Sequence, residues 1–410
     1  QVPLEAPARP HSAIPHHIPQ LEDEIMNFPA RRRTQRLLAG ALALTLVAAA
    51  CGSNGDTATE PTDDSTDEPT ESGAATETIG GTLVGAGSSA QAAGMQGWQA
   101  GFQALNPDAT VEYDAIGSGG GRELFLAGGS NFAGSDAFLK DDEFEASKER
   151  CAGDQGAINI PHYISPIAIP YNLPQIEGST LNLTPELIAG IFANELTNWN
   201  DPAIAALNEG VQFPDLPINP VHRSDESGTT ENFTDYLAQS APEVWTFGAI
   251  EVWDGDGPGR GEGAQGTSGV VAATAAGEGS IGYADASQIG DLPAAAVGVG
   301  GEFRKFSPEA AGRIVDASER LDGRNEFDFA IEVNRTPESA DVYPIALVSY
   351  HIICLQYPDQ ETVDLVQAFM TYVGSEAGQA ASGASAGSAP ISAEVRVEIL
   401  TSIDAISVAG

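Results

Sequence analysis

From residue 79 onwards, short apolar runs rich in β-branched residues alternate with longer segments of helical pattern. The runs that predict strands are 82–84, 110–113, 158–160, 167–171, 218–221 and 345–348. The segments that predict helices are 91–105, 185–192, 229–240, 267–276 and 362–373. This alternation predicts an α/β fold in which helices cover a sheet. Ligands of such folds bind beyond the carboxyl ends of strands, next to helix N-termini.

Residues 26–50 have the pattern of an export signal. Four arginines at 31, 32, 33 and 36 precede the apolar stretch 37–50. As a helix this stretch rises about 21 Å, which is too short for about 30 Å of hydrocarbon but fits a signal peptide. It ends in Ala-Ala-Ala-Cys, which resembles a bacterial lipobox and predicts lipidation of Cys51. The alternative is an ordinary cleaved signal with an incidental cysteine.

Three N-terminal segments follow from these patterns. We expect 1–25 to be an upstream extension that the mature protein lacks, because Met26 is a better start. Residues 26–50 are the expected lipoprotein signal peptide. Residues 51–78 carry many acidic groups and no apolar period, so we expect a disordered acidic tether.

The charge balance excludes some classes of protein. The chain has 58 acidic and 18 basic residues, a formal net charge of −40. A general nucleic-acid binder needs a basic surface, and so does a protein that docks by charge on an anionic membrane. We therefore expect no nucleic-acid partner.

A glycine-rich turn, GAGSSA, follows the first predicted strand and precedes a helix. The hydroxyl of Ser89 and the amide of Ala90 can donate to an oxyanion at a helix N-terminus. The same letters also match G-x-G-x-x-A, a dinucleotide fingerprint. Glu112 and Asp114 follow at a plausible distance for a ribose contact.

Two further segments have a similar character. IGSGGG places Ser118 between a strand and a helix, where it is expected to cap the helix and face an anion. FAGSDA places Asp136 among small residues. An ionised carboxylate only accepts hydrogen bonds, so in an anion site Asp136 selects an oxyanion that still carries a proton. In isolation either segment can also be an ordinary cap.

The segment HRSDESGTT carries the most anion-binding chemistry. Arg223 can direct two donors at one tetrahedral anion, and Asp225 can pair with Arg223 and orient it. Ser227, the Gly228 amide and Thr229 can donate at the start of the next helix. The alternative is a surface ion pair beside a capping box. A glycine-rich helix start at 263–270 is expected near the mouth of the site, without an assigned ligand contact.

Together these motifs resemble the substrate-binding proteins of bacterial phosphate ABC transporters, the Pst system. The resemblance covers about residues 79–410 and rests on GAGSS, IGSGGG, FAGSDA and RSDESGTT in that order and spacing. It extends to LIAGIFANELTNWN at 187–200, GSIGY at 279–283 and VYPI at 342–345.

The resemblance implies a type II periplasmic-binding-protein fold with a ligand cleft between two lobes. Lobe one is then 79–165 plus 346–410, and lobe two is 166–345. Eight residues are implied to bind phosphate, namely Ser89, Ala90, Ser118, Asp136, Arg223, Ser227, Gly228 and Thr229. Ala90 departs from the family because an aromatic residue is common there. Glu226 adds a negative charge to the arginine loop.

The implied function is capture of inorganic phosphate outside the cytoplasm and delivery to a membrane permease and ATPase for import. We expect a binding protein anchored at the outer face of the cell membrane, without enzymatic activity, cofactor or metal. His162, His222 and His351 are widely spaced in sequence and predict no metal cluster. The alternatives are a binder of sulfate, molybdate or phosphonate, or, in another class, a secreted phosphatase or dinucleotide enzyme.

Two cysteines remain besides Cys51. Cys151 and Cys354 both fall in lobe one as divided above. Exported proteins often pair spare cysteines, so we expect a disulfide. The alternative is two buried free thiols.

Overall fold

The computed structural model describes residues 79–322 and 324–410. The predicted extension, signal peptide, tether and lipidated Cys51 lie outside the described residues. Within these residues no helix combines the length and apolarity that a membrane span requires.

The described chain alternates strands and helices along most of its length. The strands are β1 (Gly80–Gly87), β2 (Asp108–Asp114), β3 (Phe132–Ser135), β4 (Ala157–Ala168), β5 (Asn182–Leu183), β6 (Asn219–Arg223), β7 (Glu262–Ala264), β8 (Ser280–Gly282), β9 (Ala284–Asp285), β10 (Ala296–Val299), β11 (Glu302–Arg304), β12 (Glu319–Arg320), β13 (Ile331–Glu332), β14 (Ala346–Cys354), β15 (Gln356–Tyr357) and β16 (Ser407–Val408). The helices are α1 (Ala92–Leu105), α2 (Ser118–Leu126), α3 (Asp141–Arg150), α4 (Pro185–Phe192), α5 (Pro202–Ala206), α6 (Gly228–Ser240), α7 (Trp253–Asp256), α8 (Gly266–Ala276), α9 (Pro308–Asp316), α10 (Gln360–Gly374), α11 (Glu376–Ala386) and α12 (Ala393–Asp404).

The largest sheet has the strand order β2-β1-β3-β14-β4-β9. Strand β1 runs parallel to β2 and β3, whereas β14 runs antiparallel to β3 and β4. Every residue of β4 and β14 is buried, as expected of central strands covered on both faces. Helix α1 packs Trp98 and Phe102 into the core beside this sheet, and the Phe102 and Phe369 rings lie 5.2 Å apart.

The chain between β4 and β14 forms two three-stranded sheets, with the orders β7-β6-β8 and β11-β10-β5. Strand β6 is parallel to both of its neighbours, so the carboxyl ends of these strands share one edge. Buried aromatic residues pack α4 and α6 against this region. The ring of Phe233 lies 4.4 Å from Tyr283 and 4.8 Å from Phe192. This packing holds the start of α6 beside the end of β6.

The five predicted helices are confirmed, with every end within two residues of its predicted position. One strand prediction was wrong. Residues 158–160 and 167–171 were expected to form separate strands, but β4 runs unbroken from 157 to 168. In the sequence, Pro161 and Pro166 favour an interruption of the strand. In the structure the register with β14 shifts between Ser349 and Tyr350, which leaves His162 as an extra residue opposite them.

A disulfide joins Cys151, at the end of α3, to Cys354, at the end of β14. The Cα atoms lie 5.4 Å apart and 203 residues separate the two cysteines.

We expect the double variant Cys151→Ala, Cys354→Ala to lose about 2–5 kcal/mol in the free energy of unfolding, because the unfolded chain loses a long-range constraint. Urea unfolding measures this loss. A reductant should destabilise the wild type and leave the variant unchanged, and an equal response of both proteins would contradict the expectation.

The buried carboxyl of Asp285, at the end of β9, predicts a pH-dependent stability. Burial raises the pKa of Asp285 from 3.8 to about 6, although Ser287 donates hydrogen bonds to it. The folded state therefore holds this proton more tightly than the unfolded chain does. The resulting stabilisation is present below about pH 4 and is lost as the pH rises through about 6.

An Asp285→Asn variant isolates this effect. Relative to the variant, we expect the wild type to lose about 1 kcal/mol of unfolding free energy between about pH 5 and about pH 7.5. Urea unfolding at both pH values measures the difference. Parallel pH dependences of the two proteins would contradict the expectation.

Candidate functional site

The structure brings the eight predicted site residues to the carboxyl ends of strands and the first turns of helices. Ser89 and Ala90 follow β1, Ser118 starts α2, Asp136 follows β3, Arg223 ends β6, and Ser227, Gly228 and Thr229 begin α6. All eight are buried, although many of them are polar. Buried polar groups require hydrogen-bond partners, so their partners define what this region can bind.

Asp136 lies where the large sheet meets the start of α6. Its Oδ2 accepts a hydrogen bond from Thr229 Oγ1 at 2.8 Å, and its Oδ1 accepts one from Ser349 Oγ at 2.6 Å. Thr229 Oγ1 in turn accepts from Arg223 Nη1 at 3.4 Å. A guanidinium can only donate, so the Thr229 proton points to Asp136. Both carboxylate oxygens therefore act as acceptors.

The protonation of Asp136 reflects two opposing effects. Burial is the larger effect and leaves the pKa of this carboxyl above its ordinary value, although hydrogen bonds from Ser349, Ser88 and Thr229 and the charge of Arg223 act to lower it. The hydroxyl donors are directed at the ionised form. An ionised Asp136 offers acceptors only, so a ligand group next to it must bring a hydrogen.

The guanidinium of Arg223 is held in a fixed plane. Its Nε donates to Asp225 Oδ1 at 2.7 Å and its Nη2 donates to Asp225 Oδ2. Asp225 Oδ1 also accepts from the amide of Gly266 at 3.1 Å, which ties this pair to the first residue of α8. The side chain of Arg223 is 2% exposed, so its charge acts in a poorly solvated place. Its Nη1 remains directed at Thr229, so it can donate a hydrogen bond to an anion bound there.

Helix α6 presents its N-terminus to the same place. Ser227 is the N-cap, and its hydroxyl accepts from the amide of Thr230 at 3.2 Å. Gly228 allows a close approach of backbones, because a Cβ there would lie 2.9 Å from the amide nitrogen of Ala137. The first amides of a helix have no partner within it, so those of Gly228 and Thr229 suit an anion.

Ser118 does not cap α2, and this part of the expectation was wrong. The N-cap is Gly117, and Ser118 is the first helical residue. Gly117 has φ +99°, and a Cβ there would lie 2.6 Å from Asp225 Oδ2, so only glycine fits this corner. The hydroxyl of Ser118 accepts from the amide of Asp136 at 3.1 Å. It thus connects the α2 start with the residue after β3.

Ser89 makes contacts that the sequence did not predict. Its Oγ accepts from the amide of Thr267 at 3.0 Å, and Gln288 Nε2 donates to its carbonyl at 2.8 Å. The glycine-rich start of α8 was the available signal for Thr267. No sequence pattern singled out Gln288. Ala90 is completely buried, and its amide donates to Ser88 Oγ at 3.1 Å.

The charge of Glu226 is partly matched by a neighbouring ion-pair group. The buried guanidinium of Arg122 lies 3.4 Å from Glu226 and 2.8 Å from Glu251, and Lys140 lies 2.5 Å from Glu251. Burial acts to raise the pKa of Glu251, but Arg122 and Lys140 outweigh it and hold this pKa below its ordinary value. These pairs join α2 and the start of α3 to the loops around α6.

Two of the histidines lie close together in space, although they are far apart in the sequence. His162 Nδ1 lies 2.9 Å from His351 Nδ1, where β4 pairs with β14. Burial lowers the pKa of His351 to about 3. Within the described ranges, no group of three or more His, Cys, Asp or Glu side chains is arranged to hold a metal.

Comparison with known proteins defines the family. Residues 72–377 match the model of the PBP superfamily domain. The phosphate-binding protein PstS 3 of Mycobacterium tuberculosis is 36% identical over 331 residues, covering 80% of this chain and 87% of the relative. PstS 3 of Mycobacterium leprae is 37% identical over 294 residues, covering 70% of this chain and 78% of the relative.

A solved structure supports the fold. The structure of PfluDING, a high-affinity periplasmic phosphate-binding protein bound with phosphate, superposes with a TM-score of 0.62 and 23% identity. The match covers 78% of this chain and 93% of that chain. This likeness shows the two-lobed periplasmic-binding-protein fold that the sequence predicted. The family model and the sequence relatives agree that this chain belongs to the PstS family of phosphate-binding proteins within the PBP superfamily.

Proposed function

We propose that this protein captures inorganic phosphate between the two lobes and delivers it to a membrane transporter for import. The observation that carries the proposal is the position of Asp136. A buried carboxylate that accepts at both oxygens lies next to Arg223 and the N-terminus of α6. Positive groups attract an oxyanion, and the carboxylate requires that the oxyanion carry hydrogen. Phosphate at neutral pH meets both conditions, and sulfate meets only the first.

The proposed ligand contacts follow from the chemistry of each group. Arg223 donates through its guanidinium while Asp225 holds it in plane. The remaining donors are hydroxyls and amides, and Asp136 is the acceptor for the phosphate hydrogen. The donors are Ser89, Ala90, Ser118, Ser227, Gly228 and Thr229. Ala90 acts through its amide, which must turn from Ser88 Oγ to the anion and needs no aromatic side chain. Each charge-assisted bond contributes about 1.5–3 kcal/mol, so several suffice for a dissociation constant of about 1 μM or lower.

The proposed lobes follow the same division of the chain. Lobe one comprises 79–165 and 346–410, and lobe two comprises 166–345. The support is the pairing of β4 with β14, since three of the four small sheets lie between these two strands in the chain and the fourth, β15-β16, follows β14 within the range of lobe one. Flexing near 165 and 345 would open the cleft and break the contacts of Thr229 with Asp136 and of Ser89 with Thr267.

We also propose how the protein is placed in the cell. Lipid attached to Cys51 anchors it at the outer face of the cell membrane, and the acidic segment 51–78 lets the folded part reach a permease. The permease and its ATPase are the proposed partners. The proposed role is binding without turnover, in keeping with relatives that are named as binding proteins.

A thermal-shift panel tests the ligand class. Phosphate, sulfate, arsenate and molybdate are added separately to the purified folded part. We expect phosphate and arsenate to raise Tm strongly and sulfate to raise it little, since at equal concentration the ligand that binds the folded state more tightly stabilises it more. A chromogenic phosphate ester added to the same protein should not be hydrolysed. A larger shift with sulfate or molybdate would contradict the proposed ligand, and turnover of the ester would contradict a pure binder.

A further inference from the structure

Asp136 is connected to a hydrogen-bonded relay that belongs to the large sheet. Gln91 Nε2 lies 2.7 Å from Ser349 Oγ, and Ser349 Oγ lies 2.6 Å from Asp136 Oδ1. Gln91 precedes α1, Ser349 lies within β14, and Asp136 follows the neighbouring strand β3. Gln91 and Ser349 are completely buried, and Asp136 is 3% exposed. No sequence motif pointed to Gln91 or Ser349.

The direction of each hydrogen bond in the relay is fixed. Gln91 Nε2 also lies 3.2 Å from the carbonyl oxygen of Tyr350. A carbonyl only accepts, so the nitrogen of the Gln91 amide must be the atom at this position. Ser349 therefore accepts from Gln91, and its single proton is left to donate to Asp136. The relay stabilises an ionised carboxylate and opposes a protonated one.

Ser88, which directly follows β1 of the large sheet, and Thr229 also lower the pKa of Asp136, but Thr229 has a different origin from Ser349. Thr229 and the Arg223 group behind it come from α6 and β6, and both are among the groups proposed to bind phosphate. When they turn to a bound anion, or when the cleft opens, their support of the carboxylate weakens. Ser349 is attached to the same sheet as Asp136, so its bond persists in each of these states.

We propose that Ser349, oriented by Gln91, is a positioning residue that keeps Asp136 ionised and thereby sets the preference of the site for an oxyanion that carries hydrogen. This inference rests on the proposed phosphate-binding function. Without the Ser349 hydroxyl, the carboxyl would take up a proton more readily. A protonated Asp136 becomes a donor and then accommodates sulfate.

Other charged and titratable groups near Asp136 define the controls. Arg223 faces it from β6, and Tyr113 from β2 is close enough to feel its charge. Burial raises the pKa of Tyr113 well above 10, so its phenol stays neutral. Lys140 and Glu231 line a cavity of about 250 Å³ that also reaches Asp136. Burial raises the pKa of Glu231 to about 7, so a pH profile must be compared between variants that all retain this group.

The test is a titration of Ser349→Ala with phosphate and with sulfate at about pH 5.5 and about pH 7.5. Sulfate keeps one protonation state in this range, so a change in its affinity reports on the protein. We expect the phosphate-to-sulfate affinity ratio to fall at least about fivefold, most strongly at the lower pH, because one hydrogen bond to a charged group is lost. Ser349→Thr retains the hydroxyl and should restore the wild-type ratio. Ser130→Ala is the matched control, since within the described residues this buried hydroxyl has no hydrogen-bond partner.

Two further variants keep the test decisive. Ser349→Cys preserves the volume but donates only weakly, and it replaces Ser349→Ala should that variant fail to fold. Gln91→Met frees the Ser349 hydroxyl to rotate and should lower the ratio to a smaller extent. Wild-type protein that binds phosphate selectively, with Ser349 variants indistinguishable from Ser130→Ala in ratio and pH profile, overturns the relay alone. A wild type that does not bind phosphate overturns the proposed function instead.

Discussion

Replacing Arg223 by alanine is expected to weaken phosphate binding by between about tenfold and about a hundredfold. The guanidinium is almost fully buried and supplies the only side-chain cation proposed to touch the anion. A hydrogen bond to a charged group contributes about 1.5–3 kcal/mol, and a factor of ten corresponds to about 1.4 kcal/mol. The variant also leaves Asp225 without its partner, which adds an unbalanced negative charge next to the ligand.

Isothermal titration calorimetry measures this loss. Arg304→Ala is a suitable control, because Arg304 is half exposed and pairs with Glu302 at the surface. We expect this control to bind phosphate as the wild type does. Native affinity in Arg223→Ala would remove the guanidinium from the site and with it the main source of attraction for the anion.

Replacing Asp136 by asparagine is expected to reduce the preference for phosphate over sulfate at least about tenfold. Asparagine has the same shape but offers an N–H₂ donor as well as an acceptor. The variant can therefore donate to a fully ionised oxyanion, which the carboxylate repels. Phosphate loses one charge-assisted hydrogen bond and sulfate loses a repulsion, so the two effects act on the ratio in the same direction.

Parallel titrations with both anions measure the ratio. Asp285→Asn provides the same chemical change at a buried carboxyl that belongs to β9 and is not proposed to contact the ligand. We expect that control to change the two affinities equally, if at all. An unchanged ratio in Asp136→Asn would contradict the role given to this carboxylate.

Several parts of this molecule could be predicted from local sequence. Helix 185–192 follows from a threonine cap, a proline in the first turn and an apolar stripe, and these are local signals. Asp225 lies two residues from Arg223, so a local turn of the backbone is enough to pair their side chains. The glycine-rich corners at Gly117 and Gly228 were visible because backbone approach depends on a missing Cβ.

Other parts depend on contacts between distant segments. Ser349 lies 213 residues from Asp136, and only the placement of β14 beside β3 brings them together. His162 and His351 lie 189 residues apart, and their rings meet only because β4 pairs with β14. Gln288 reaches Ser89 from a short turn without a motif. Long-range packing, which a single sequence does not record, decides these contacts.

The most direct test of this account is a calorimetric titration of the folded part with phosphate and with sulfate at about pH 7.5. The account predicts one phosphate per chain with a dissociation constant of about 1 μM or lower, and sulfate bound at least about a hundredfold more weakly. Absence of phosphate binding, or equal affinities for the two anions, would contradict it.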